Sequence, residues 1–145
     1  DVFSIERAHV VSALIKKFID AKLKNLPEVE VLGTGRAIRE FLYVEDAADA
    51  IIKAAEIYNE DMPLNVGTGM ETPISELAKL IKEISNYSGQ IKWNPGGPDG
   101  ALRKVSDISR IKNKLNWEPK YSLKEGLRKT IRWFEDNYES AISKI

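Results

Sequence analysis

What most restricts the fold is a change of hydrophobic period near residue 28. Val11, Leu14, Ile15, Phe18 and Ile19 recur at i, i+3, i+4, i+7 and i+8, which is one face of an amphipathic helix. Pro27 bounds that helix, and Val29-Glu30-Val31-Leu32 reads as a short strand running into Gly33-Thr34-Gly35. A chain that switches from a period of 3.6 to a period of 2 and back must bury helices against strands. That specifies an α/β fold and excludes a helical bundle or an all-β sandwich.

The alternation continues downstream. Arg39–Val44 reads as a second β-rich run, and Glu45-Asp46 place acid at the start of the next helix, where it suits the macrodipole. That helix carries Ala47, Ala48, Ile51, Ile52, Ala54, Ala55 and Ile57, and its small residues imply close packing on a neighbour. Leu64-Asn65-Val66 is expected to be a strand ending at Gly67-Thr68-Gly69. Thr72-Pro73 has the form of a hydroxyl N-cap followed by Pro at the first helical position, before Ile74, Leu77, Ala78, Leu80, Ile81 and Ile84. Gln90–Trp93 is strand-like, Pro95–Gly100 is a loop, and a helix near Asp107 carries Ile108, Ile111 and Leu115. A capping box, Ser122-Leu123-Lys124-Glu125, opens the last helix, with Leu127, Ile131 and Phe134 inward. No repeat or linker divides the chain, so residues 1–145 read as a single α/β domain.

Composition narrows the function classes. At 145 residues, 43% hydrophobic and 30% charged, the chain is an ordinary globular one. Equal numbers of basic and acidic residues, 22 each, remove the general electrostatic case for nucleic acid or an anionic membrane as partner. Residues 103–145 hold 11 basic and 6 acidic side chains, a surplus that fits solvated helix faces. With no Cys and one His, thiol catalysis, disulfides and multi-His metal sites are out of reach. No apolar run is long enough to span a membrane and no signal peptide opens the chain, so a cytoplasmic setting is expected. The start at Asp1-Val2-Phe3, without Met, suggests a piece of something longer.

Complete catalytic motifs are absent. Both Gly pairs lack the third Gly of the dinucleotide fingerprint, since Ile38 and Thr72 stand there. They read as tight turns. The Tyr-x-x-x-Lys pair of short-chain dehydrogenases fails at all five tyrosines, and there is no nucleophile elbow or phosphate-binding loop. Partial features remain. His9 is the one side chain that titrates near neutral pH without perturbation, Arg39 follows a Gly-rich turn where a guanidinium can meet phosphate, and Asp99-Gly100 with Arg103-Lys104 forms a polar loop. Each taken alone also fits a plain structural role.

Taken together, these segments resemble GDP-L-fucose synthases, extended short-chain dehydrogenase/reductases of the NAD-dependent epimerase/dehydratase family. Ala8-His9-Val10-Val11-Ser12-Ala13-Leu14-Ile15-Lys16-Lys17-Phe18 is similar to that family's Ser-His-Val-Ile-Pro-Ala-Leu-Ile-Arg-Lys-Phe. The run Gly33 to Asp46 resembles Gly-Thr-Gly-x-x-x-Arg-Glu-Phe-Leu-His-Val-Asp-Asp. Asn65–Gly69, Pro98–Lys104 and Leu115-Asn116-Trp117 follow in the family's order. The resemblance implies the C-terminal, substrate-binding part of a Rossmann-type enzyme, with the Gly-rich NADP loop and the Ser/Tyr/Lys catalytic group in an N-terminal domain absent from this chain. It implies conversion of GDP-4-keto-6-deoxy-D-mannose to GDP-L-fucose with NADPH, a GDP-sugar as small-molecule partner, and a homodimer for the full-length enzyme.

By the same resemblance His9 is the catalytic acid of epimerisation and lies beside the cofactor. Lys17 and Arg39 hold the diphosphate, and Leu32 and Asp99 touch substrate. The chain departs from the family at Ser12 (for Pro), Leu32 (for an aromatic), Lys17 (for Arg) and Tyr43 (for His). Rival readings are another member of the superfamily, such as a UDP-sugar 4-epimerase, and a non-catalytic nucleotide-sugar binding module. A nucleic-acid-binding domain is the weakest, since no stacking aromatics are interleaved with the basic residues.

Overall fold

The computed structural model describes residues 3, 8–96 and 100–142. Helix α1 (Val10–Leu23) turns Leu14, Ile15, Phe18 and Ile19 inward, as its period requires. It ends where Asn25 takes a left-handed conformation (φ 52°) and the Leu26 amide returns to the Ala21 carbonyl at 2.9 Å. Strand β1 (Glu28–Leu32) follows and buries Val29 and Val31 while Glu28, Glu30 and Leu32 face outward. Its partner comes from far along the chain. After β2 (Ile38–Arg39), α2 (Val44–Ile57), β3 (Thr72–Pro73) and α3 (Ile74–Ile84), strand β4 (Gln90–Asn94) lies parallel to β1, with Val29 beside Ile91 and Val31 beside Trp93.

Helices α1 and α3 pack together beside this pair, and α5 (Leu123–Asp136) packs on α3. The main core joins Ile15, Phe18, Leu77, Ile81, Ile131 and Phe134, all essentially inaccessible to solvent. Each such side chain contributes roughly 1.5–3 kcal/mol by leaving water. The capping box is present: the Glu125 amide donates to Ser122 Oγ at 3.3 Å, and the Ser122 amide donates to Glu125 Oε2 at 2.9 Å. A short helix, α6 (Tyr138–Ile142), was not anticipated. Its Tyr138 hydroxyl donates to Asp20 Oδ1 at 2.7 Å, and that bond, aided by burial, pushes the phenol up to about 12.

A second, smaller sheet has the order β3-β2-β5, where β5 is Arg103–Lys104. β2 runs antiparallel to β3 and parallel to β5. Beside it α2 packs on α4 (Ser109–Leu115) around Ala50, Ile108, Ile111, Leu115 and Trp117. Asp46 is 1% exposed, and its carboxylate accepts the Lys120 and Tyr121 amides at 2.9 and 3.0 Å. Asp49 accepts the Trp117 indole N–H at 2.9 Å. No helix among the described residues is long and apolar enough to cross a membrane.

Four expectations are corrected. Thr72-Pro73 is a strand, not a cap: Thr72 is buried opposite Arg39, and Pro73 shows no side-chain cap bond at the start of α3. Leu64–Val66 is not a strand; the described sheets give it no partner, and Asn65 instead donates to the Asp107 carbonyl at 3.1 Å. The β-rich run at residues 39–44 pairs only through Arg39, because both ladders end there, at Thr72 on one side and Lys104 on the other. Helix α2 does pack closely, but through Ala50 and Ala54; Ile51, Ile52 and Ile57 are 63%, 60% and 59% exposed.

Candidate functional site

The described sequence candidates lie at the entrance and in the middle of α1 and at the carboxyl ends of β1 and β2. Ligands of open α/β sheets bind at such ends, where outgoing loops leave a crevice. Lys17 emerges from the middle of α1, and its ammonium donates to the Glu30 carbonyl of β1 at 2.9 Å. Leu32 closes β1, paired with Asn94 and 56% exposed. These two therefore flank one strand.

The chain then turns through Gly33 and Gly35, both at positive φ (88° and 74°). Gly35 has a second requirement: a Cβ there would lie 2.8 Å from the Trp93 ring. The Ser75 amide donates to the Gly35 carbonyl at 2.9 Å and the Ile74 amide to the Ala37 carbonyl at 3.0 Å, tying the turn to the start of α3. Arg39 stands at the end of this turn in β2. One of its guanidinium nitrogens donates to the Ile38 and Ala101 carbonyls, each at 2.7 Å. A Cβ on Gly100 would lie 3.5 Å from the other nitrogen. The structure thus brings Arg39 against the loop after β4. Asp99 lies outside the described residues.

His9 is exposed and extended (φ −72°, ψ 165°) immediately before α1. Its carbonyl accepts the Ala13 amide at 2.9 Å and the buried Ser12 hydroxyl at 3.2 Å, which fixes its backbone at the helix entrance. Ser12 also lines a groove of about 650 Å³ between α1, residues 40–44 and α5, walled by Val11, Phe41, Tyr43, Leu127 and Trp133.

Two features were not foreseen. Tyr43 and Tyr121 meet edge to face at 4.9 Å between centroids, with the Lys129 ammonium over both rings. Tyr43, Tyr121 and Lys129 all donate to Glu45. The Tyr121 and Lys129 hydrogen bonds hold the Glu45 carboxyl below its ordinary value, while burial, with Glu45 beside it, raises the Tyr43 phenol. Both charges of the Glu45–Lys129 pair are therefore fixed at the mouth of the groove at neutral pH. The second is Glu40. Oε2 accepts the Thr68 and Gly69 amides at 3.0 and 2.9 Å, and Oε1 accepts the Ser106 amide at 2.7 Å. Burial pushes this carboxyl up, yet the hydrogen bonds from Ser106, Gly69 and Thr68 together hold it below its ordinary value. No local pattern marks a residue whose partners lie 28, 29 and 66 positions away.

These contacts decide whether the described residues could cradle a dinucleotide. Two amides of the Gly67–Gly69 turn, which face an anion as such nests do, are already filled by the Glu40 carboxylate. In the other turn the Gly33 amide donates to the Asn94 carbonyl at 2.8 Å. Neither turn fits a pyrophosphate, in keeping with the missing third Gly. No group of three or more His, Cys, Asp or Glu among the described residues is placed to hold a metal ion.

A crossover α/β unit, with a basic side chain at the end of one strand and a His at a helix entrance, is an arrangement that this chain shares with the Rossmann-type epimerases and reductases it superposes on. Residues 3–67 match the model of the NAD dependent epimerase/dehydratase family. The chain is 45% identical to a probable GDP-L-fucose synthase from Oryza sativa subsp. japonica, over 97% of this chain and 43% of the relative. A GDP-L-fucose synthetase from Naegleria fowleri, solved bound to NADP, superposes with a TM-score of 0.92 at 26% identity, covering 98% of this chain and 44% of that one. A UDP-glucose 4-epimerase from Thermotoga maritima, solved with UDP-glucose, gives a TM-score of 0.79 at 32% identity, over 90% of this chain and 40% of its own. The chain thus spans less than half the length of these three relatives.

Proposed function

We propose that this chain is the substrate-holding α/β domain of an NADPH-dependent epimerase/reductase that converts GDP-4-keto-6-deoxy-D-mannose to GDP-L-fucose. The observation that carries the reading is the Arg39 guanidinium, anchored by two carbonyls at the end of β2 beside the loop after β4. A cation held on a fixed element meets a diphosphate with little ordering cost. The name of the rice relative supplies the nucleotide and the sugar. NADP binds, in this reading, to a preceding domain that this chain does not contain, and the full-length enzyme is a cytoplasmic homodimer.

Within that enzyme each residue has a chemical task. Arg39 and Lys17 neutralise the diphosphate, Leu32 lies against the nucleotide, and Asp99 contacts the sugar. A ketone acidifies its neighbouring C–H bonds, so inversion needs a base on one face and an acid on the other. His9 is the acid that returns the proton to the enediolate, and as the cofactor's neighbour it faces the hydride-bearing side. The 650 Å³ groove, apolar and bordered by the Glu45–Lys129 pair, is the face against which the preceding domain packs.

Calorimetry of the 145-residue chain with GDP and with UDP tests the assignment. GDP is expected to bind the more tightly, and Arg39→Ala to weaken it by roughly tenfold or more, as loss of a charged hydrogen-bond partner does. A preference for UDP moves the chain to the UDP-sugar epimerase reading, which the Thermotoga structure supports. Binding without turnover in any longer form of the protein leaves the non-catalytic module. In an enzyme containing both domains, His9→Asn is expected to abolish epimerisation and spare hydride transfer.

A further inference from the structure

We propose that Glu40 is the positioning residue of the Arg39 site: its carboxylate locks the loops on both sides of β2 and so sets where the Arg39 guanidinium is presented. The inference rests on the reading of Arg39 as a phosphate-holding residue and deepens it. The sheet that carries Arg39 is short, pairing only Ile38 and Arg39 with Pro73 and Thr72 on one side and with Arg103 and Lys104 on the other. Pro73 has no N–H to give, so the antiparallel ladder is weaker than its length implies. Ladders this short do not by themselves hold a strand in register.

Glu40 supplies what the ladders lack. Side chains alternate along an extended chain, so Glu40 departs on the face opposite Arg39. Its Oε2 takes the amides of the segment leading into β3, and its Oε1 takes the Ser106 amide just beyond β5. One carboxylate therefore ties the segments flanking both neighbours of β2. The fit is close, because a Cβ on Gly67 would lie 2.5 Å from Oε2. The ring of donors also stabilises the ionised form, in line with a carboxyl held below its ordinary value although burial opposes it. The Ala101 carbonyl that anchors Arg39 lies on the strand-β5 side, just before Arg103. If that loop moves, the guanidinium loses the Ala101 part of its anchor.

A neutral amide of the same shape cannot replace this group. Glu40→Gln accepts from one loop and turns an NH₂ toward the N–H groups of the other. A double-mutant cycle on GDP binding to the 145-residue chain separates positioning from bulk stability. Glu40→Gln is expected to weaken binding about tenfold in the wild-type background and to have no further effect beside Arg39→Ala, with thermal unfolding followed in parallel to establish that the variants are folded. Gly67→Ala, which crowds Oε2 and leaves the charge in place, is expected to reproduce the loss should Glu40→Gln not fold. Equal losses in both backgrounds overturn the proposal. NMR supplies a readout that needs no ligand: Glu40→Gln is expected to shift the Arg39 Nε resonance and to speed amide exchange at Ser106 or at Thr68 and Gly69. If GDP does not bind the wild-type chain, the functional reading falls, and an unmoved Arg39 resonance then sinks the positioning role separately.

Discussion

Replacing Asp46 by Asn is the sharpest test of how the α2–α4 unit is held. Asp46 is 1% exposed in the first turn of α2, and it accepts two backbone amides from the strap between α4 and α5, at 2.9 and 3.0 Å. Hydrogen bonds to a charged acceptor contribute about 1.5–3 kcal/mol each, and a buried donor left unsatisfied costs about 1–3 kcal/mol. An asparagine keeps one acceptor, weakened by loss of charge, and sets its NH₂ against the other amide. The expected cost is about 3 kcal/mol, which for a chain of this size lowers the melting temperature by roughly 10 °C. Far-UV circular dichroism melts at neutral pH and fixed salt measure it. Asp49→Asn is the control: Asp49 bonds the Trp117 indole, but its side chain is 42% exposed and an amide oxygen can still accept. Its melting point is expected to move far less. If Asp46→Asn melts within about 1 °C of wild type, or no lower than Asp49→Asn, the strap is not held by that carboxylate and the reasoning fails.

Gly35→Ala combines a left-handed backbone with a Cβ 2.8 Å from the Trp93 ring, so a loss of at least about 2 kcal/mol in urea unfolding is expected, with altered tryptophan fluorescence; an unchanged midpoint refutes the crowding. Ser122→Ala removes the hydroxyl half of the capping box and is expected to cost about 1 kcal/mol, visible as a lower unfolding midpoint with unchanged slope. Acid stability bears on Glu40. Its carboxyl sits below its ordinary value in the folded chain, so the folded state binds fewer protons than the unfolded one. Its contribution is complete above about pH 4.5 and is lost as pH falls through the folded value, so Glu40→Gln is expected to flatten that part of the acid limb relative to wild type.

Helices α1 and α3 were legible because tertiary packing uses the same faces that their period marks. Leu14, Ile15, Phe18 and Ile19, like Leu77, Ala78 and Ile81, are buried where spacing alone put them. The long strands were legible for the same reason, through the alternation at Val29 and Val31. Short strands were not. Thr72-Pro73 has the residue types of a helix start, and only the arrival of β2, from over thirty residues away, makes it a strand. Leu64–Val66 has the residue types of a strand but meets no partner among the described sheets, and pairing, not propensity, makes a strand. The same limit applies to the site. Arg39 was a candidate from the sequence, but Glu40, which braces the segments on both sides of its strand, acts through backbone amides 28 to 66 residues distant. No local pattern encodes that distance.

The division of the interior into two clusters has a dynamic consequence. The larger one joins α1, β1, α3, β4 and α5, whereas the smaller rests on Ala50, Ile108, Ile111, Leu115 and Trp117. A unit with few buried apolar contacts opens at a lower free energy than the whole. Native-state hydrogen exchange should therefore find the α2 and α4 amides exchanging ahead of those in α1 and α3. Arg39 stands in the short sheet that borders the smaller unit, and Lys17 stands on the larger. A diphosphate gripped by both would act as a clasp. By mass action it would raise the opening free energy of the weaker unit by RT ln(1 + [L]/Kd), so occupancy could be read from exchange in α4, a helix the ligand need never touch.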